Sequence, residues 1–249
     1  MEVRCTQCGA DVAIAADTSL LQCPYCSTAL AVQAGETVFR EVLLPTVREA
    51  EAADHLRRFM AGRETVAGLD KHARIGTPQL VYFPFWAFRI DESAGERIVL
   101  EPAAPSSLQG LQGMTLPAGE PRSWTPELTG TSPLLEAEVP LATARTWLDD
   151  RLNAPAVRRT MLYHIPIYRF SYTYKNRSYR AAVEGVSGRV LPADFPAKAE
   201  APFVLVAGLA LAVFGIEGLL ISNLFVKAVV YGISAVPLFV LAWIISRKV

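Results

Sequence analysis

The sequence predicts a multidomain protein: a small β zinc ribbon, a duplicated α+β body built from helix-strand-strand units, and a C-terminal two-helix transmembrane hairpin. Three observations carry this reading. Four cysteines stand at the front of the chain in the pattern C-x2-C-x14-C-x2-C. The middle repeats a short aromatic-proline box, and the last fifty or so residues are almost wholly apolar. The expected boundaries are 1–33 for the ribbon, 34–101 for the first α+β unit, 102–135 for a Pro/Gly-rich connector, 136–198 for the second unit and 199–249 for the hairpin.

Cys5, Cys8, Cys23 and Cys26 are the candidate metal ligands. A Cys-x-x-Cys turn aims both sulfurs at one point, and two such turns complete a tetrahedral shell. Gly9 suits the tight turn of a first knuckle and Pro24 fixes φ within the second, while Ser27 stands where a second glycine is expected. Short strands at 10–15, 19–22 and 28–32 would complete a ribbon too small to fold without its ion, so one structural zinc would supply its folding energy. A redox dithiol or paired disulfides are the alternatives. A thioredoxin-like pair should follow a strand and open a helix, which neither pair does. Four thiolates also close the shell, so no position is left for a catalytic water.

At the other end, Phe203 to Ile221 gives nineteen residues interrupted only by Glu217, and Leu224 to Ile245 gives twenty-two with Lys227 near the start. Each is long enough to span a bilayer. In the first, twelve Phe, Val, Leu and Ile side chains outweigh one carboxylate near the span's end. Lys198 before the pair and Arg247 and Lys248 after it place both termini on the cytoplasmic side of the cytoplasmic (inner) membrane as a multi-pass protein. A reducing compartment agrees with free thiolates, and no secretory signal precedes Cys5. Trp243 suits an interfacial anchor, and Pro237 falls within the second helix.

Between these ends, Leu80 to Phe88 and Leu162 to Phe170 align on Pro84 and Pro166, each after a helical pattern: Ala50, Ala53, Leu56 and Met60 in the first, Ala144, Trp147, Leu148 and Leu152 in the second. Glu41 to Pro45 aligns with Glu138 to Pro140. Each box opens a hairpin, with turns at 91–95 and 175–177. Alternation puts Tyr168, Phe170, Tyr172 and Tyr174 on one face, either as core beneath the helices or as an aromatic binding groove. The connector is rich in Pro, Gly, Ser and Thr, but Leu108, Leu111, Met114, Leu116 and Trp124 argue that it is docked. Its Gly110-Leu-Gln-Gly113 lacks the flanking helices of an RNA-binding KH module and reads as loop chemistry.

Net charge is zero, yet residues 91–150 carry ten acids against three bases and residues 158–198 eight bases against two acids. The basic stretch could face the acidic one, lie against anionic headgroups or contact nucleic acid. Catalysis finds little support. His55, His72 and His164 have no metal-site spacing, Asp149 and Asp150 read as a solvated pair at a helix end, and no phosphate-cradling glycine loop occurs. The expectation is therefore no enzyme and no catalytic residue.

Taken together, the ribbon, the Tyr82-Phe-Pro-Phe-Trp86 and Ile165-Pro-Ile-Tyr-Arg-Phe170 boxes and the apolar end resemble bacterial zinc-ribbon membrane proteins, often labelled TFIIB-type zinc ribbons or relatives of the primosomal helicase PriA. Helicase motifs are absent here. Some similar proteins are associated with envelope-stress and membrane-remodelling scaffolds. The resemblance thus implies an adaptor whose partners are a membrane protein or membrane-associated scaffold and the lipid bilayer, with membrane-tethered nucleic-acid binding as the alternative. Tyr172 to Leu191, ending Val183-Glu-Gly-Val-Ser-Gly-Arg-Val-Leu191, is faintly similar to PepSY domains.

Overall fold

The structure, a computed structural model, describes residues 1–92, 95–198 and 201–248. The chain forms two compact units, one of Met1–Phe59 with His72–Phe195 and one of Met60–Lys71 with Pro196–Val249. The first unit is mostly β. Strands β1 (Glu2–Arg4) and β2 (Asp11–Ala13) pair as a small sheet of their own. The other described strands are β3 (Leu20–Gln22), β4 (Ala29–Gln33), β5 (Glu36–Val42), β6 (Arg74–Ile75), β7 (Gln79–Glu92), β8 (Gly95–Pro102), β9 (Arg122–Ser123), β10 (Val157–Tyr174), β11 (Arg177–Glu184) and β12 (Val190–Pro192), and all ten belong to one sheet. The ribbon's second half is part of that sheet: β3 pairs β4, β4 pairs β5, and β5 runs parallel to β10.

Two long helices accompany the sheet. Helix α1 (Glu49–Met60) buries Ala52, Leu56 and Met60, a stripe at i, i+4 and i+8. Its first turn holds Glu49 and Glu51 and its last Arg57 and Arg58, the charge order that suits the helix dipole. The short α2 (Leu69–His72) and α3 (Pro126–Thr129) precede α4 (Leu141–Leu152), which buries Ala144 and Leu148 and stops at Asn153 in the left-handed region. The helical stripe of α1 thus falls on Ala52 rather than on Ala50 or Ala53.

The two helix-strand-strand segments make the same contacts at equivalent positions. Leu43 N–H donates to His164 O at 3.0 Å, and Leu135 N–H to Tyr82 O at 3.0 Å. Ala103 N–H reaches Pro84 O at 2.9 Å as Gly185 N–H reaches Pro166 O at 2.7 Å. The Trp86 indole N–H donates to Val139 O at 2.8 Å, and the Tyr168 hydroxyl to Val47 O at 2.9 Å. Strands β7 and β10 are antiparallel neighbours, and Phe83 sits opposite its own counterpart Ile165, so a local two-fold axis passes through that pair. The strands obey the alignment on Pro84 and Pro166. The helices obey one that matches Val47 with Val139, a few residues from the match on Pro45 and Pro140.

The segments are also interlocked. Val139, which leads into α4, bonds to Ala103 and Trp86 of the first hairpin, while Val47, which leads into α1, bonds to Gly185 and Tyr168 of the second. Each helix therefore covers the hairpin of the other segment. On this face Trp86, Phe88 and Ile90 pack with Ala144 and Leu148, and Tyr168, Phe170, Tyr172 and Tyr174 are all buried. The aromatic face is core. The opposite face, with Phe83, Phe85, Ile165 and Ile167, is covered by the connector through Leu111 and Met114. This segment is thus the second covering layer of the sheet, the place that helices take in an α/β arrangement with both faces covered.

In the second unit, α5 (Ala201–Leu220) is followed by α6 (Leu224–Lys248). Leu224–Ile244 is long and apolar enough to cross a membrane, whereas α5 carries a shorter apolar run, Val206–Leu220. Only one candidate span therefore stands on length and composition among the described residues. Asn223 caps α6, its side-chain oxygen accepting the N–H groups of Phe225 and Val226 at 3.0 and 3.3 Å. The two helices touch. Lys227 Nζ donates to Gly218 O at 2.9 Å, the Tyr231 hydroxyl to Phe214 O at 3.0 Å, and the Ser234 hydroxyl meets Glu217.

Candidate metal centre

Two knuckles of matching geometry build the cysteine site. In the first, Cys5 N–H donates to Ala10 O at 2.8 Å and Gly9 N–H to Cys5 O at 2.9 Å; in the second, Cys23 N–H donates to Thr28 O at 2.9 Å and Ser27 N–H to Cys23 O at 2.8 Å. Gly9 (φ 75°) and Ser27 (φ 60°) both occupy the left-handed region, the conformation that turns each chain back on its sulfurs. Ser27 therefore does a glycine's task with a side chain attached.

All four sulfurs lie within 4.8 Å of one another, with Cys5 and Cys26 3.7 Å apart and Cys8 and Cys23 3.8 Å apart. Sulfurs placed 2.3 Å from one ion at the corners of a tetrahedron would be about 3.8 Å apart. The cluster thus fits one metal ion with four thiolate ligands, a donor set and geometry consistent with zinc. Cys5 and Cys23 are buried, Cys26 is half-buried and Cys8 is exposed. Gln7 N–H points at Cys5 Sγ at 3.4 Å, and the Thr28 hydroxyl lies 3.4 Å from Cys26 Sγ, so both can support thiolate charge.

Without an ion the thiols share protons unequally. The Thr28 hydroxyl, then the Thr28 backbone N–H, draws Cys26 down to about 6. Cys8 has a backbone hydrogen bond with Ala10 that works downward, yet burial and the neighbouring cysteines push it up to about 12. Crowding four sulfurs therefore keeps part of the cluster protonated until a cation takes the protons' place.

The site is fixed to the sheet from beneath. Val3, Val12, Leu30 and Val32 pack around Cys5 and Cys23, and Thr37 on β5 donates its hydroxyl to Arg4 O at 2.6 Å. The four cysteines paired by their spacing do come together in one cluster, but Thr28 and Thr37 carry no local signal for their supporting roles.

The remaining titratable candidates are dispersed. His164 is buried on β10; burial, with the Arg40 charge adding to it, lowers its imidazole to about 3, although the hydrogen bond with the Leu135 backbone works the other way. Its Nδ1 has no hydrogen-bond partner among the described residues. Arg40 is itself buried, which lowers it to about 10, and its guanidinium stacks 4.0 Å over the Trp124 ring. The His55 ring packs against Gly188, where a Cβ would have no room. His72 ends α2. Asp149 pairs with Arg145 at 3.0 Å one helical turn away, and Asp150 is exposed beside it. Among the described residues, the four cysteines are the only cluster able to hold a metal ion.

Two acids, Glu101 and Glu184, are fully buried. Glu101 meets Arg151 from α4, and burial raises its carboxyl. Glu184 accepts the N–H groups of Val186 and Ser187 at 2.6 and 2.7 Å and so closes the Gly185–Gly188 turn. That turn lies within the Val183–Leu191 stretch, and its glycine spacing has a structural cause. Comparison with protein-family models, curated proteins and solved structures found no match.

Proposed function

We propose that this protein is a noncatalytic, membrane-anchored adaptor that presents its zinc ribbon to a protein partner at the cytoplasmic face of the membrane. In this reading α5 and α6 form a transmembrane hairpin with both termini in the cytoplasm. The interlocked segments of the body derive from a duplicated α+β unit, and an envelope-stress or membrane-remodelling scaffold is the proposed class of partner. A closed four-thiolate shell gives the ion a structural role, because no ligand position is left for substrate or water.

One observation carries the docking role. Outside α5 and α6, the exposed large hydrophobic residues among those described are Met1 and Tyr25, and Tyr25 is 71% exposed. It sits between Cys23 and Cys26, so metal binding would hold it rigidly at the tip of a knuckle. A pre-ordered, exposed tyrosine suits a binding hot spot, since little entropy is lost when it is covered.

A photo-crosslinking residue at Tyr25, expressed in the native host, should give one discrete adduct, and the same probe at exposed Glu36 should not. Equal labelling from both positions would reject the docking role. For the anchor, the full chain should stay in carbonate-washed membranes and a chain ending at Lys198 should leave them; retention of the shortened chain would reject it.

Nucleic-acid binding draws less support. Arg4 is the one basic residue of the ribbon, and its Nε donates to Gly9 O at 3.2 Å. In the basic stretch, Arg158 pairs with Asp91 at 2.6 Å and Arg159 stacks 4.0 Å over Phe39. A protein without this activity should show no steeply salt-dependent binding to DNA or RNA.

A further inference from the structure

The local two-fold axis provides an internal control, and one place fails it. On the connector-covered face, Arg169 on β10 and Arg180 on β11 correspond to Ala87 on β7 and Ile98 on β8. The registers agree: Ser171 lies opposite Arg180 as Arg89 lies opposite Ile98, and Arg169 opposite Ala182 as Ala87 opposite Leu100. In the first hairpin these positions belong to the apolar core, Ala87 being fully buried and Ile98 packed against it. The second hairpin replaces both with exposed arginines. Residues at diagonal positions on adjacent strands are about 7–8 Å apart, so long side chains there can reach one ligand. Among the described residues neither arginine has an ion-pair partner within 4 Å.

Beside them the sheet opens. The pairing of β7 with β10 stops at Tyr82 and Pro166, and β6 resumes it with Ile75 opposite Tyr172. Thr77, Gln79 and Val81, beside this gap, line a cavity of about 440 Å³. Its floor is apolar, from Val81, Phe83 and Ile167, and Pro105 to Leu108 of the connector form one wall. Arg169 and Arg180 line its mouth with Ser171. The volume lies within the range of small-molecule sites, about 300–1,000 Å³. An apolar floor with two arginines at its rim, where Asp194 accepts the Arg180 backbone N–H at 3.1 Å without an ion pair to either guanidinium among the described residues, matches an apolar chain ending in negative charge.

We propose that this cavity binds an amphipathic anion, a carboxylate or phosphate on a hydrocarbon body, with the chain against Phe83 and Ile167 and the charged head between Arg169 and Arg180. Arginine suits this role because its planar fork binds either head through two parallel hydrogen bonds.

The test uses the full chain in zwitterionic lipid nanodiscs, titrated calorimetrically with octanoate, octyl phosphate, octanol and inorganic phosphate against empty nanodiscs. The expected result is one site for octanoate or octyl phosphate, whichever is tighter identifying the head, with octanol and inorganic phosphate at least tenfold weaker. The Arg169→Gln, Arg180→Gln double variant should lose at least tenfold in affinity while keeping its metal content and melting temperature. Should that variant misfold, Ser107→Trp, which fills the wall and leaves both arginines, should cause the same loss. Octanol binding as tightly as octanoate, inorganic phosphate binding as tightly as octyl phosphate, unchanged affinity in a folded variant, or no binding by either anion would overturn the proposal.

Discussion

The two hairpins of the sheet share a backbone plan and differ in what the plan holds. The first, β7 with β8, packs apolar side chains on both faces, under α4 on one, where Glu101 also meets Arg151, and under the connector on the other. The second, β10 with β11, keeps an aromatic row toward its helix side but carries Arg169 and Arg180 on the other. The same hydrogen bonds recur in both. Backbone geometry is therefore set by the shared residues, chiefly Pro84 with Pro166 and Trp86 with Tyr168, and the other positions are free to diverge into core or site.

The strongest way to break this symmetry is to remove its anchors. Trp86 is fully buried and bonds the backbone before α4; Tyr168 does the same before α1. Trp86→Ala should cost about 3–5 kcal/mol, from lost burial and the cavity left behind. Tyr168→Ala should fall near the lower end of that range, since it vacates less volume. Denaturant unfolding of the full chain in detergent checks both. Because each helix covers the other segment's hairpin, each variant should lower the single transition of the whole body; a separate early transition for one half would show that the halves fold independently.

A second contrast concerns charge. Tyr82 and His164 are counterparts, both buried, but only the histidine titrates in the acid range. The folded state holds the ring neutral down to about 3, while the unfolded chain takes up a proton near 6.5. More protons bind to the unfolded state in that window, so this contribution to stability is complete above pH 6.5 and declines as pH falls toward 3. At pH 5 the loss is about 2 kcal/mol. His164→Leu should shrink the fall in stability between pH 7 and pH 5 by that amount. Acid protonation of the cysteines affects both chains alike, so the difference isolates His164.

Much of this was visible in the sequence, for a local reason. The cysteine spacing, the turn at 175–177 and the boxes around Pro84 and Pro166 are short-range patterns, and a strand or knuckle is encoded within its own residues, while the centre of the turn expected at 91–95 lies outside the described residues. What escaped is nonlocal. That α1 serves the second hairpin depends on Val47 meeting Gly185 and Tyr168, contacts with no trace in spacing. The helix match on Pro45 and Pro140 was offset because proline marks the start of α4 but lies upstream of α1. Composition reads residues 102–135 as a connector, and the place of Leu111 and Met114 in a covering layer follows only when the sheet face beneath them is known. At the membrane end, Leu224–Ile244 stands as a span on its own length and composition, while the described apolar run of α5 is Val206–Leu220.

Smaller levers sit on β10 and in the ribbon, which repeats the lesson of matched backbones with unmatched side chains. Tyr168→Phe removes one hydrogen bond and should cost about 1 kcal/mol by the same denaturant assay. The two knuckles offer a comparable increment. Ser27 holds φ 60° where its counterpart Gly9 holds 75°, and an L-residue in that region is strained by about 1 kcal/mol. Ser27→Gly should therefore relieve the second knuckle only slightly, by at most about 0.5 kcal/mol after allowing for glycine's greater freedom in the unfolded chain. Gly9→Ala should strain the first by about 1 kcal/mol. The nearest atoms to a new Cβ there are 3.7 Å away on the flexible Arg4 side chain, so the backbone alone sets that cost. Because metal binding and ribbon folding are coupled, both changes should appear in zinc affinity measured by chelator competition: a modest tightening for Ser27→Gly, and a weakening of several-fold for Gly9→Ala. Opposite signs at matched positions would tie the difference to φ; equal and opposite-to-expected shifts would place it in the side chains instead.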